Sequence, residues 1–186
     1  MGLTSDGPAS DADHAAALDR GRDALRRRAW LEAYEAMAAA EALAPLSGED
    51  LEALADAAFF AARPEAVLDA KERAFAAYQA APNRIRAAYM AVNLARMHGH
   101  EGRRSISAAW LRRAARLLEE LPEDYPHGYL ALVRSEVASG SGDLDTAAAL
   151  AESALESGRR HADGDLIAWG LRELGLLRIA KGEAPA

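Results

Sequence analysis

The sequence predicts an all-α protein, a right-handed superhelical solenoid of about four and a half degenerate helix pairs, and three observations lead there. Alanine dominates the apolar half of the 186-residue chain, aromatics make up 6%, and the β-branched runs that strands need are missing. Apolar residues recur at steps of three and four in nine successive segments, each bounded by Gly, Pro or a polar turn. The second helices of successive pairs begin near Trp30, Pro64, Ser105 and Asp143, at spacings of 34, 41 and 38 residues. A helical hairpin of that size cannot bury its apolar stripe alone, so neighbouring pairs must stack.

The elements follow in order. Residues 1–10 (MGLTSDGPAS) are too polar to bury anything and read as a disordered leader, with the repeat domain over 11–186. Asp11 or Asp13 caps a first helix to about Arg28, with Ala17, Leu18, Ala24 and Leu25 on its stripe. A second runs from Leu31 to Leu43, and Pro45 and Gly48 punctuate its end. Glu49 to Ala62 carries acidic residues in its first turn, where the helix dipole favours them. Pro64 opens the next helix, to about Ala81, because its missing N–H is unneeded there. Pro82 and Asn83 break the chain, and Arg84 to His98 follows, with Gly99 as a left-handed cap. Ser105 starts a helix to Glu120, and Leu121 to Pro126 is a connector. His127 to Ser139 is helical, Gly140-Ser141-Gly142 turns, and Asp143 or Asp145 opens a helix to Ser157. The last helix runs from Asp165 to Lys181.

Gly21, then Ala33, Met37 and Ala40, then Pro45 fall at the small, contact and terminal-proline positions of a repeat, and the first spacing equals its 34-residue period. Gly142-Asp143-Leu144 with Ala147, Ala151 and Ala154 matches again, as do Leu174-Gly175 and Gly182. On these residues the chain resembles the tetratricopeptide repeat. The middle pairs depart from it, with Lys71, Arg112 and Arg113 near positions that are usually apolar. The stretches GRDALRRRAWLEAYEAM, AVLDAKERAFAAY, WLRRAARLLEELPEDYPHGYLAL and GDLDTAAALAESALE are similar to the helical-repeat regions of actinobacterial LuxR-type helix-turn-helix regulators and cyclase-linked regulators. That resemblance spans about Arg20 to Gly182 and implies a regulatory module without its effector, since no recognition helix with a basic face and no cyclase sheet is encoded.

Repeats of this type bind with the concave face made by the first helix of each pair. The helical register sets Arg22, Glu52, Asp56, Phe59, Arg86, Tyr89, Asn93, Arg96, Tyr129, Glu136, Trp169 and Arg172 on that face. Arg, Asn and aromatics together can hold an extended peptide, the Asn amide offering both a donor and an acceptor. The same side chains can equally be solvated residues that pair within the molecule. The last helix is apolar round most of its circumference, so it is expected to be covered either by further chain of the native protein or, in a homodimer, by a second subunit that self-associates through Leu166, Trp169, Leu176 and Ile179.

His98, His100 and Glu101 are metal-competent donors, but neighbouring ligands in a turn rarely enforce tetrahedral geometry, and no metal site is expected. Trp30 and Trp110 are expected in the core. No nucleophile elbow, phosphate loop, zinc-protease or nicotinamide motif occurs, so neither enzymatic activity nor a cofactor is expected. The net charge of −7 argues against direct nucleic-acid binding, despite the pairs and triplets of Arg. There is no Cys, no run approaches a membrane span, and the polar start has no signal-peptide core, so the cytoplasm is the expected compartment. The expected function is protein–protein interaction, with a protein or peptide partner, in transcriptional or signalling regulation. A small-molecule sensor with a closed apolar cavity is the competing class.

Overall fold

The computed structural model describes residues 7–183, and every regular element among them is a helix. They are α1 (Gly7–Arg26), α2 (Trp30–Leu43), α3 (Gly48–Phe60), α4 (Pro64–Ala80), α5 (Arg84–His100), α6 (Arg104–Leu118), α7 (Tyr125–Gly140), α8 (Leu144–Arg160) and α9 (Gly164–Ala180). Of the expected leader, residues 1–6 lie outside the described residues, whereas 7–10 belong to the first turn of α1. Two compact units divide the chain, Met1–Pro82 and Asn83–Ala186. The first holds the hairpins α1/α2 and α3/α4, with α3 resting on α1 and α2. The second holds α5/α6 and α7/α8, then α9, with α7 against α5 and α9 against both α7 and α8. Each unit is a stack of tetratricopeptide-like pairs.

One backbone device makes the tight turns. Arg28, Ala62, Gly102, Gly142 and Ala162 take φ of 52–86°, as does Gly182 after α9. The residue after each returns its N–H to a carbonyl five positions back: Ala29 to Ala24, Arg63 to Ala58, Arg103 to His98, Asp143 to Ala138, Asp163 to Gly158 and Glu183 to Arg178. That bond satisfies a carbonyl the helix end leaves open and turns the chain in two residues. Gly99, expected as the left-handed cap, is instead inside α5, and the positive φ falls at Gly102. Nor is α7 delayed to His127: Pro126 sits in its first turn, where a missing N–H does no harm. The Asp124 carboxylate accepts the Tyr125 N–H at 2.7 Å, and the His127 ring nitrogen accepts the Asp124 N–H at 3.1 Å.

Small residues let the paired axes approach. Ala33, Ala40, Ala74, Ala114, Ala147 and Ala154 of the second helices are fully buried. A Cβ on Gly21 would lie 2.7 Å from Met37 Cγ, so the glycine is required for α2 to lie where it does. The middle repeats keep this register. Lys71 occupies the slot that Met37 fills in α2, its stem largely buried and its ammonium 4.0 Å from Asp56, while Arg112 and Arg113 turn outward.

Candidate functional site

In the unit Met1–Pro82, Arg22 does not stand free on its helix. It donates to Asp50 Oδ1 from Nη2 at 2.8 Å and from Nε at 3.2 Å, and Asp50 is buried. The Ser47 hydroxyl donates to the other Asp50 oxygen at 2.6 Å, and Ser47 Oγ caps α3 by accepting the Asp50 N–H. Arg22 therefore braces α1 to the start of α3 through a charge-assisted contact. Glu52 is half-buried and Asp56 exposed. Phe59 is 64% exposed, edge-on to Phe60 at 5.2 Å, and Phe60 stacks on Trp30 at 4.3 Å. Arg22 and Phe59 make separate contacts here, one ionic and one aromatic.

The unit Asn83–Ala186 gathers its expected residues into one row across α5, α7 and α9. Arg86, Tyr89, Asn93 and Arg96 follow steps of three and four, which puts them on one face of α5. Tyr89 meets Tyr125 and Tyr129 of α7 edge-on at 5.3 and 5.0 Å, and Tyr129 meets Trp169 of α9 at 6.0 Å. Such edge-to-face contacts suit the ring quadrupoles. Arg86 Nη1 donates to the Tyr125 hydroxyl at 3.3 Å. The Tyr129 hydroxyl donates to Asp163 Oδ1 at 3.1 Å, the same oxygen that caps α9 through the Leu166 N–H. Burial, with the Asp163 charge adding to it, pushes the Tyr129 phenol well above the usual tyrosine range, so it stays a donor.

Arg96 is the centre of the row. Its Nε lies 3.1 and 3.3 Å from the two Glu136 oxygens, and its guanidinium carbon is 3.7 Å from the Trp169 ring centroid. Stacking on the ring and pairing with the carboxylate fix the same fork. His100 Nε2 approaches the far Glu136 oxygen at 3.5 Å. Asn93 turns its amide nitrogen to the Tyr89 carbonyl at 2.9 Å, so that donor closes on its own helix. Arg172 is largely exposed.

Glu173, one position on, is a residue sequence reasoning missed: it is buried on α9 beside Glu136. Burial raises its carboxyl above the ordinary glutamate range, the Glu136 charge raises it further, and Arg172 and Arg96 oppose. Between the ordinary value and the raised one the folded state holds more protons than the unfolded chain, so stability falls as pH rises through that window. Glu173→Gln is therefore expected to stabilise the protein above that window and to flatten the decline of stability with pH. Urea unfolding across that range checks it; an unchanged pH dependence would mean the carboxyl is hydrated in the folded state.

The self-association residues separate. Leu166 is fully buried against Gly128 and Ser157, inside the unit and out of a partner's reach, and Trp169 belongs to the aromatic row. Only Leu176 and Ile179 are exposed, with Leu171 beside them. His98 is buried at a core position of α5, and neither ring nitrogen has a hydrogen-bond partner. Among the described residues no three His, Cys, Asp or Glu side chains are grouped to hold a metal ion. None of the described helices is long and apolar enough to cross a membrane.

No family model matches the sequence, and no curated protein is significantly similar to it. Among solved structures the chain is similar to the crystal structure of BtubC (BKLC) from P. vanneervenii, with a TM-score of 0.56 and 15% identity over 94% of this chain and 85% of that one. BtubC is a tetratricopeptide-repeat protein, and a likeness at this identity establishes the fold: a tetratricopeptide-like helical repeat.

Proposed function

We propose that the chain is a protein–protein interaction module whose inner row on α5, α7 and α9 receives an extended peptide segment of a partner. The observation that carries this is the joining of Arg86, Tyr89, Arg96, Tyr129 and Trp169 from three helices into one aromatic and cationic surface. Aromatic rings give contact area with little side-chain entropy to lose, and Arg86 and Arg172 offer forks to carboxylates. The resemblance of the repeats to those of LuxR-type and cyclase-linked regulators supports a regulatory setting in the cytoplasm, where the partner is an effector protein.

A random linear peptide library selected on the full chain, with an Arg86→Ala/Arg172→Ala variant as counter-target, tests the reading. Acid-containing peptides should be enriched and should bind the variant about tenfold more weakly. Equal binding to both chains would sink it.

A further inference from the structure

The centre of the inner row is a charge cluster drawn from three helices. Arg96 of α5 lies on the Trp169 ring of α9 and reaches both Glu136 oxygens of α7, and both of those bonds leave from its Nε. One N–H shared between two oxygens is a weaker grip than the parallel pair of bonds a guanidinium can give a carboxylate. The side chains of Arg96 and Glu136 are each 17% exposed, so the contact is largely shielded from water and still reachable.

A second acid stands behind the first. Glu173 of α9 is 5% exposed, and Arg172 Nη1 lies 4.0 Å from its Oε2. The other group facing Glu136 is His100 of α5, whose Nε2 is 3.5 Å from the Glu136 Oε2 and whose side chain is 61% exposed. Burial and the Glu136 charge raise the Glu173 carboxyl, while Arg172 and Arg96 lower it. Helix α8 also packs on α7 and α9, and α6 packs on α7, but neither adds a charge to the Glu173 balance.

The cluster therefore responds when Arg96 changes partner. A carboxylate that takes the guanidinium by its terminal nitrogens brings a negative charge to a place where two acids already surround one central cation. Glu136 then loses its Nε contact and is left against Glu173. Two neighbouring carboxylates shielded from water do not both stay ionised, so the pair titrates as a unit and binds a proton more readily.

We propose that the inner row binds an acidic partner segment with uptake of a proton by the Glu136/Glu173 pair, so that acidification tightens the complex. The inference rests on the reading of the row as a peptide site and adds its regulation. One O–H bond forms on a carboxyl oxygen of the pair, the proton comes from the buffer, and no other covalent bond changes. By linkage, affinity rises as pH falls wherever the complex holds more protons than its separated parts. The window lies above the range in which the segment's own carboxylates titrate, because below it the segment loses its charge.

The probe is the most enriched acid-containing peptide of the library selection, labelled with fluorescein and titrated into the full chain from about pH 5.5 to 7.5. Calorimetry in buffers of different ionisation enthalpy counts the protons. Affinity should rise about tenfold from the upper to the lower end of that range, with on the order of one proton taken up. Glu173→Gln should bind like the native chain at the upper end and lose most of the pH dependence, since its amide can donate to the released Glu136. Glu136→Gln should bind about fivefold more tightly there, with no uptake, because Arg96 has lost its internal partner. Circular dichroism checks that both variants are folded. Binding without uptake, uptake that survives Glu173→Gln, or uptake abolished by His100→Gln, which would move the proton to the imidazole, each overturns the proposal. If the selection enriches no acid-containing peptide, the reading of the row falls and this proposal with it. If the peptide binds through Arg86 and Arg172 but indifferently to pH, this proposal alone falls.

Discussion

Leu166→Ala is expected to destabilise the unit Asn83–Ala186 by about 3 kcal/mol. The side chain is fully buried, one methyl reaching into the space that a Cβ on Gly128 would claim, 2.6 Å from that position, and Ser157 flanks it. Gly128 and Ser157 beside it are too short to fill the space left behind. A cavity that cannot collapse adds its own term to the lost burial. Equilibrium unfolding in urea followed by tryptophan fluorescence checks this. A loss below about 1 kcal/mol would mean that α9 contributes little to its unit.

Arg96→Met should have the second large effect, about 2 kcal/mol at neutral pH, somewhat below the cost of removing one partner of a fully buried pair. The methionine stem can still lie over Trp169, so the change isolates the charge. What it leaves is Glu136, 17% exposed in its side chain, next to a buried Glu173 with no guanidinium between them. Two carboxylates held close in a dry place resist joint ionisation. The loss should therefore shrink as pH falls and the pair takes up a proton, and a Glu136→Gln/Arg96→Met double variant should recover most of it. Stability curves of the three proteins at neutral and mildly acid pH separate this from a packing effect, which acid would not relieve.

The helices were legible because their signals are local. The alanine stripes of α2 and α8, Pro64 at the start of α4 and the Asp143 cap each act within a few residues. Boundaries slipped where one residue type serves two purposes. Gly99 has the chemistry of a cap but lies inside α5, where a Cβ would come 3.3 Å from Ser107 Oγ, and Pro126 looks like a stop but sits in a first turn that Asp124 and His127 close. The Pro82-Asn83 step, read only as a break between helices, is also the boundary between the two units. Periodicity set Tyr89, Arg96, Tyr129, Glu136 and Trp169 on the faces of α5, α7 and α9, and in the structure these side chains meet. Their pairing was not legible, because it spans about forty positions and depends on how far one helix slides along the next. Asp50 and Glu173 were missed for that reason. Each lies one or two places from a residue the register selected, and only the packed helices decide which of two neighbours turns inward. Ser47, three residues before Asp50, was the local clue to the first.

The inner row is already occupied by itself: Arg96 holds Glu136, Arg86 holds Tyr125, and Asn93 closes on Tyr89. On the proposed function, recognition there is an exchange reaction, in which an arriving segment substitutes its own atoms for bonds the host gives up. The net affinity is a small difference between two similar sums, while discrimination is steep, because a visitor that displaces a host contact without replacing it strands a desolvated charge. Such a surface suits contacts that form and dissolve on demand.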